Sequence, residues 1–177
     1  GGDAVIAQGA EAGGHRGMFL ADRPEQQVGT MALVPQIADA VSLPVIAAGG
    51  IADGRGLVAA LAHGAAADQV GTAYLRTPEA ATNALYRAAL KAAREDQTAI
   101  TTVFTGRPAR AIVNRLLSDI GPFDDAVPAF PLASGAVMPL RAAAEKQGSG
   151  DFSSHWAGQA VALAADAFAQ IRRFAPS

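Results

Sequence analysis

The stretch PVIAAGGIADGRGLVAALAHGAAADQVGT, Pro44–Thr72, decides the fold. Pro44–Ala48 is apolar on both faces, as a parallel strand buried on both sides is, and Gly49 and Gly50 end it. Asp53 stands where an N-cap belongs, so the spacing predicts a helix from Gly54 to about His63, closed by Gly64 in the left-handed conformation. The next strand runs from Ala67 to Gly71. One β/α/β unit with short links calls for a parallel sheet with helices outside it.

The same rhythm extends both ways. Asp3–Gln8 reads as a strand, and Val34, Ile37, Ala38 and Val41 fall at the i, i+3, i+4, i+7 spacing of a helix face. Thr77 as cap, Pro78 at the first helical position and Glu79 in the first turn predict a further helix to about Arg94. The region from Thr98 to about Gln147 is punctuated by GRP, GPF, VPAFP and MPL, with one short helical candidate at Ala111–Leu117. Trp156, Ala160, Leu163, Ala167 and Ile171 then form a 3.6-period stripe ending in Arg172 and Arg173, which predicts a closing amphipathic helix. The expected division is 1–78 for the β/α units, 79–147 for an inserted α/β lobe and 148–177 for the closing helix.

Composition narrows the function. The chain has 177 residues, half of them hydrophobic, enough for a core. Net charge is −2 and the 14 Lys and Arg are scattered, so no nucleic-acid or membrane-surface footprint shows. The absence of cysteine excludes a disulfide framework, a thiolate metal site and a Cys nucleophile. The three histidines lie far apart with no carboxylate at ligand spacing, so metal binding has no support. With neither an apolar run near membrane length nor a signal-like start, the expectation is a cytoplasmic protein acting on a small molecule.

In parallel β/α folds ligands bind beyond the C-terminal strand ends. Here those ends are Gln8-Gly9, Gly49-Gly50 and Gln69-Val70-Gly71-Thr72. Free amides at Gly50 ahead of a helix dipole, with Gly71 and the Thr72 hydroxyl opposite, can hold a phosphate. GGIADGRG alone is not a dinucleotide or P-loop fingerprint, and its weight comes from the QVGT one unit later. The first loop, AQGAEAGGHRG at Ala7–Gly17, adds His15 among glycines. A loop histidine bonded to a carbonyl is the plainer reading on composition alone; Glu11 and Arg16 read as loop-ordering or exposed, Asp53 as a cap, and His63 and His155 as structural or exposed.

Taken together, QGAEAGGHRG, PVIAAGGIADGRG, ADQVGTAYLRTPEA, GRPAR and a late WAGQ resemble the nitronate monooxygenase family, long called 2-nitropropane dioxygenases, which are FMN-dependent TIM-barrel enzymes. The resemblance implies the C-terminal part of such a barrel, about three β/α units with a small inserted lobe, since eight units take about 250 residues. It implies that Gln8 and Gly13 lie at the flavin and that Gly50, Gln69, Val70, Gly71 and Thr72 supply phosphate and ribityl contacts. His15 matches the family's catalytic histidine, which binds the nitro or nitronate group and can take a proton from the carbon beside nitrogen. The implied reaction oxidises nitronates with oxygen to carbonyl compounds and nitrite.

Two other readings accompany this one. The first is an FMN-dependent enoyl-ACP or quinone reductase using NAD(P)H. The second is a non-catalytic half-barrel, whose two open strand edges invite self-association or a complementary N-terminal half.

Overall fold

The computed structural model describes residues 1–18 and 23–165. Strand β1 is Val5–Gln8, and a two-residue strand β2, Gly14–His15, follows it. Helix α1 (Thr30–Ala40), β3 (Val45–Ala48), α2 (Gly54–Ala62) and β4 (Ala67–Gln69) come next. Helix α3 is Ala84–Ala92, then β5 (Thr98–Thr101), β6 (Ala109–Ile112), α4 (Arg115–Ile120) and α5 (Leu132–Lys146).

The fold is α/β, with the parallel strands and outer helices of three barrel-type units. Its parallel sheet has the order β1-β3-β4, with Val5 opposite Val45 and Ile46 opposite Ala67. Val45 and Ala47 point to the helix layer, where they pack with Ala7, Val34, Ala60 and Ala65. The other face carries Ile6, Ile46 and Ala67 in one cross-strand row, and Ile6 is 54% exposed. Among the described residues the sheet has three strands and does not close into a barrel. No described helix is long and apolar enough to cross a membrane.

A second sheet, antiparallel, has the order β2-β6-β5. The 79–147 segment therefore takes its third strand from the first loop, with Gly14 opposite Arg110 and His15 opposite Ala109. All four residues of β6 are buried. Ala111 and Ile112 feed two core clusters, one with Val103, Phe104, Leu116 and Leu117, the other with Leu90, Ala157 and Val161.

The structure corrects four sequence expectations. The helix expected from Thr77 starts at Ala84 instead, because Asn83 Oδ1 accepts from the Tyr86 amide at 2.8 Å while the Thr77 hydroxyl donates to the Tyr74 carbonyl. Arg87 holds the intervening turn open by donating to the carbonyls of Arg76, Thr77, Ala80 and Thr82. The helix expected at Ala111–Leu117 gives way at its start to β6, whose pairing with β5 claims Ala111 and Ile112; Asn114 then caps α4. MPL does not mark a turn: Pro139 lies inside α5, and residue 135, whose carbonyl its ring approaches, is a glycine with open space around it. Trp156 pairs with Ala111 in an isolated bridge, and Gln159–Val161 and Leu163–Ala165 are short 3-10 turns, so the expected stripe does not begin as one continuous helix. Ala167, Ile171, Arg172 and Arg173 lie outside the described residues.

Candidate functional site

A cavity of about 240 Å³ opens at the C-terminal ends of β1, β3 and β4. Its wall includes Gln8, Gly13, Gly14, Gly49, Gly50, Gln69, Gly71 and Thr72, closed on the far side by Trp156 and Gly158. No charged side chain lines it. An anion held here would therefore be met by backbone dipoles and hydroxyls.

Backbone conformation shapes one wall. Gly49 and Gly50 have φ of +113° and +71°, a pair of left-handed residues that turns the chain between β3 and α2. The amides of Gly50, Gly71 and Thr72 make no hydrogen bond among the described residues. The Thr72 hydroxyl accepts from the Gly158 amide at 3.0 Å and keeps its own proton to donate. The first turn of α2 is capped as the sequence predicts: Asp53 Oδ1 accepts from Arg55 N at 2.9 Å and from Gly56 N at 3.4 Å, so those helix amides face a carboxylate of the chain itself. Arg55 hydrogen-bonds that carboxylate and holds it below the usual range.

Two glycines separate packing from ligand space. A Cβ on Gly13 would lie 2.6 Å from Ala157 C and Gly158 N, so the 157–158 backbone requires glycine there. A Cβ on Gly71 would meet nothing within 4 Å, and its φ is ordinary. Neither packing nor conformation demands glycine at 71. An empty cradle beside free amides fits a phosphate-bearing ligand. Val70 lines no part of the cavity; its side chain packs with Ala52, Ala73 and Ala164.

His15 sits at the rim. Its ring centroid is 5.4 Å from that of Trp156, which lines the cavity, and 6.1 Å from that of Phe130. Gln8 links the two regions by donating to the His15 carbonyl at 3.0 Å and accepting from the Gly17 amide. Partial burial and the neighbouring Arg107 push the imidazole below its ordinary value, so the neutral ring dominates at neutral pH. Its Nε2 lies 2.9 Å from Thr105 Oγ1.

The loop's bare backbone has a second use: it receives Arg16, which is ordering as expected but buried rather than exposed. Arg16 is 2% exposed and donates to the carbonyls of Gly9 and Ala12. Arg110 is likewise buried and donates to Ala10 O at 2.9 Å and to Thr98 Oγ1. Burial and mutual repulsion lower Arg16 to about 10, with Glu11 opposing. The Glu11 carboxylate accepts from the Thr30 amide and hydroxyl, at 2.9 and 2.8 Å, and so caps α1 from nineteen positions away. No local pattern signals these contacts. Among the described residues no cluster of three or more His, Asp or Glu is placed to hold a metal.

The family model described as nitronate monooxygenase matches residues 1–169. A nitronate monooxygenase from Pseudomonas aeruginosa is 50% identical over 165 residues, covering 93% of this chain and 47% of that protein. A probable nitronate monooxygenase from Staphylococcus saprophyticus is 44% identical, covering 91% and 46%. The chain thus spans about half the length of the curated relatives it matches. Among solved structures, nitroalkane oxidase from Streptomyces ansochromogenes superposes with a TM-score of 0.86 at 39% identity, covering 98% of this chain and 51% of the other. FabK from Thermotoga maritima superposes at 0.73 and 31%, covering 98% and 54%.

Proposed function

The chain belongs to the nitronate monooxygenase family, and on that premise we propose that it forms the cofactor-facing, histidine-bearing part of an FMN-dependent enzyme that oxidises alkyl nitronates with oxygen to carbonyl compounds and nitrite. The observation that carries the proposal is the uncharged cavity where three parallel strand ends converge, with free amides at Gly50, Gly71 and Thr72 and unclaimed space at Gly71. Gly50, Gly71 and Thr72 hold the FMN phosphate, with Gln69 and the Val70 backbone beside the ribityl chain and Gln8 and Gly13 towards the flavin ring. FMN, when bound, supplies the capacity to accept electrons from the substrate.

The chain's own residues then do the acid–base and positioning work. His15, neutral near pH 7, takes a proton from the carbon next to nitrogen when the substrate is a neutral nitroalkane. When protonated it pairs with a nitronate, and Arg107 adds positive charge on the same side. Trp156, packed between His15 and Phe104, gives that side of the cavity an apolar wall that limits water. Residues 1–78 form the barrel portion, 79–147 the lobe that carries β6 against His15, and 148–177 the closing segment.

The test pairs this chain with the N-terminal half of the Pseudomonas relative, co-expressed and loaded with FMN. Nitrite released from an alkyl nitronate under oxygen, without NADH consumption, is the expected result. NADH oxidation coupled to an enoyl thioester or a quinone, with no nitrite, would replace the proposal by the reductase reading.

A further inference from the structure

Thr105 lies in the turn between β5 and β6, and three polar groups converge on its hydroxyl. The backbone N of Arg107 is 3.3 Å from Oγ1, the Arg107 carbonyl 3.1 Å and His15 Nε2 2.9 Å. A hydroxyl offers one proton and two lone pairs. The amide can only donate, so it occupies a lone pair. The carbonyl can only accept, so it takes the proton; among the described residues no other donor reaches it. One lone pair is left for Nε2, and it is satisfied only if Nε2 carries hydrogen. We infer that Thr105 is a positioning residue that holds His15 in the Nε2–H tautomer and leaves Nδ1 as the atom where His15 gains and loses its proton.

The arrangement has a physical consequence. All three bonds persist unchanged when the ring becomes an imidazolium, so protonation at Nδ1 needs no rearrangement of the network. The ring is further fixed by the pairing of His15 with Ala109, by the Gln8 bond to its carbonyl, and by the flanking rings of Trp156 and Phe130; Arg107 is the charged neighbour. A two-residue strand in a glycine-rich loop is therefore held to the Thr105–Arg110 segment through both backbone and side chain. The catalytic use of Nδ1 rests on the proposed role of His15, whereas the tautomer belongs to the chain alone.

The test is two-bond proton–nitrogen NMR of the 177-residue chain, without flavin, labelled with ¹⁵N at histidine and titrated from pH 5 to 8. Wild type, Thr105→Val and Thr105→Ser are compared, His15→Ala assigns the signal, and His63 and His155 report on folding. The wild-type ring is expected as a single tautomer, protonated at Nε2. Thr105→Val should admix the Nδ1–H form and lower the His15 pKa by roughly half a unit, because the lost acceptor favours the charged ring more than the neutral one. Serine should restore both. A wild-type ring protonated at Nδ1, or a folded valine variant with unchanged tautomer and pKa, would overturn the inference. Should the valine variant not fold, the wild-type tautomer alone decides. The expected tautomer together with undiminished turnover in His15→Ala would keep this inference and remove the catalytic reading of His15.

Discussion

Replacing Gly71 and Gly13 separately by alanine distinguishes a glycine kept for a ligand from one kept for packing. At Gly13 the new Cβ falls 2.6 Å from two backbone atoms of residues 157 and 158, neither of which can rotate away. Overpacking of this kind costs about 1–3 kcal/mol, which should appear as a lower urea midpoint. At Gly71 the methyl group meets open space in an ordinary conformation, so the apo chain should keep its stability or gain about 0.5 kcal/mol from the stiffer unfolded chain. The same methyl fills the cradle beside the Gly71 amide. Losing one charge-assisted hydrogen bond there costs about 1.5–3 kcal/mol, or about 10- to 150-fold in FMN affinity. The assays are urea unfolding of the apo chains and FMN titration followed by flavin fluorescence. A Gly71→Ala chain that binds FMN like wild type, or that unfolds as readily as Gly13→Ala, would show that glycine at 71 is not kept for the ligand.

Further outcomes follow from three side chains, Asp68, Glu11 and His15. Asp68 has two buried oxygens without a hydrogen-bond partner among the described residues, and desolvation raises its carboxyl to about 6. The folded chain thus retains a proton that the unfolded chain releases near pH 4, so stability falls as pH rises from about 4 to 6 and the penalty is complete above that. Asp68→Asn should flatten this dependence and gain about 1 kcal/mol at pH 8, a figure reduced for solvent screening; an unchanged pH slope in urea unfolding would contradict it. Glu11→Gln weakens the remote cap on α1 and should cost about 1 kcal/mol, read as a lower midpoint with the m-value retained. His15→Ala in the flavin-loaded assembly should keep FMN and lose about 100- to 10,000-fold in turnover of a neutral nitroalkane. Because the His15 pKa is lowered, the acidic midpoint of wild-type turnover of that substrate should lie below the ordinary imidazole value.

The parallel units were legible because their signals are local. Pro44–Thr72 carries strand, glycine turn, cap and helix in one continuous run, and β3, α2 and β4 fall where those signals place them. The three strand ends that line the cavity follow from the same run and from Gln8. The second half was less legible because long-range pairing overrides local preference. Ala111 and Ile112 look helical until β5 and His155 claim their hydrogen bonds, and Pro139 looks like a breaker until it sits one turn after a glycine. Two of the contacts that fix the first loop join residues ninety to a hundred positions apart: His15 to Thr105 and Ala10 to Arg110. A motif such as GRPAR marks that such residues matter, but only the folded chain brings the threonine ahead of it to the imidazole.

Whether the strand-end cavity receives the phosphate end of FMN is read from the visible absorption of the 177-residue chain titrated with FMN and then freed of unbound flavin. The expected result is a retained, perturbed flavin spectrum near one per chain, abolished or greatly weakened by Gly71→Ala. A chain shown to be folded that retains no flavin, and leaves the FMN spectrum unperturbed during the titration, would contradict it.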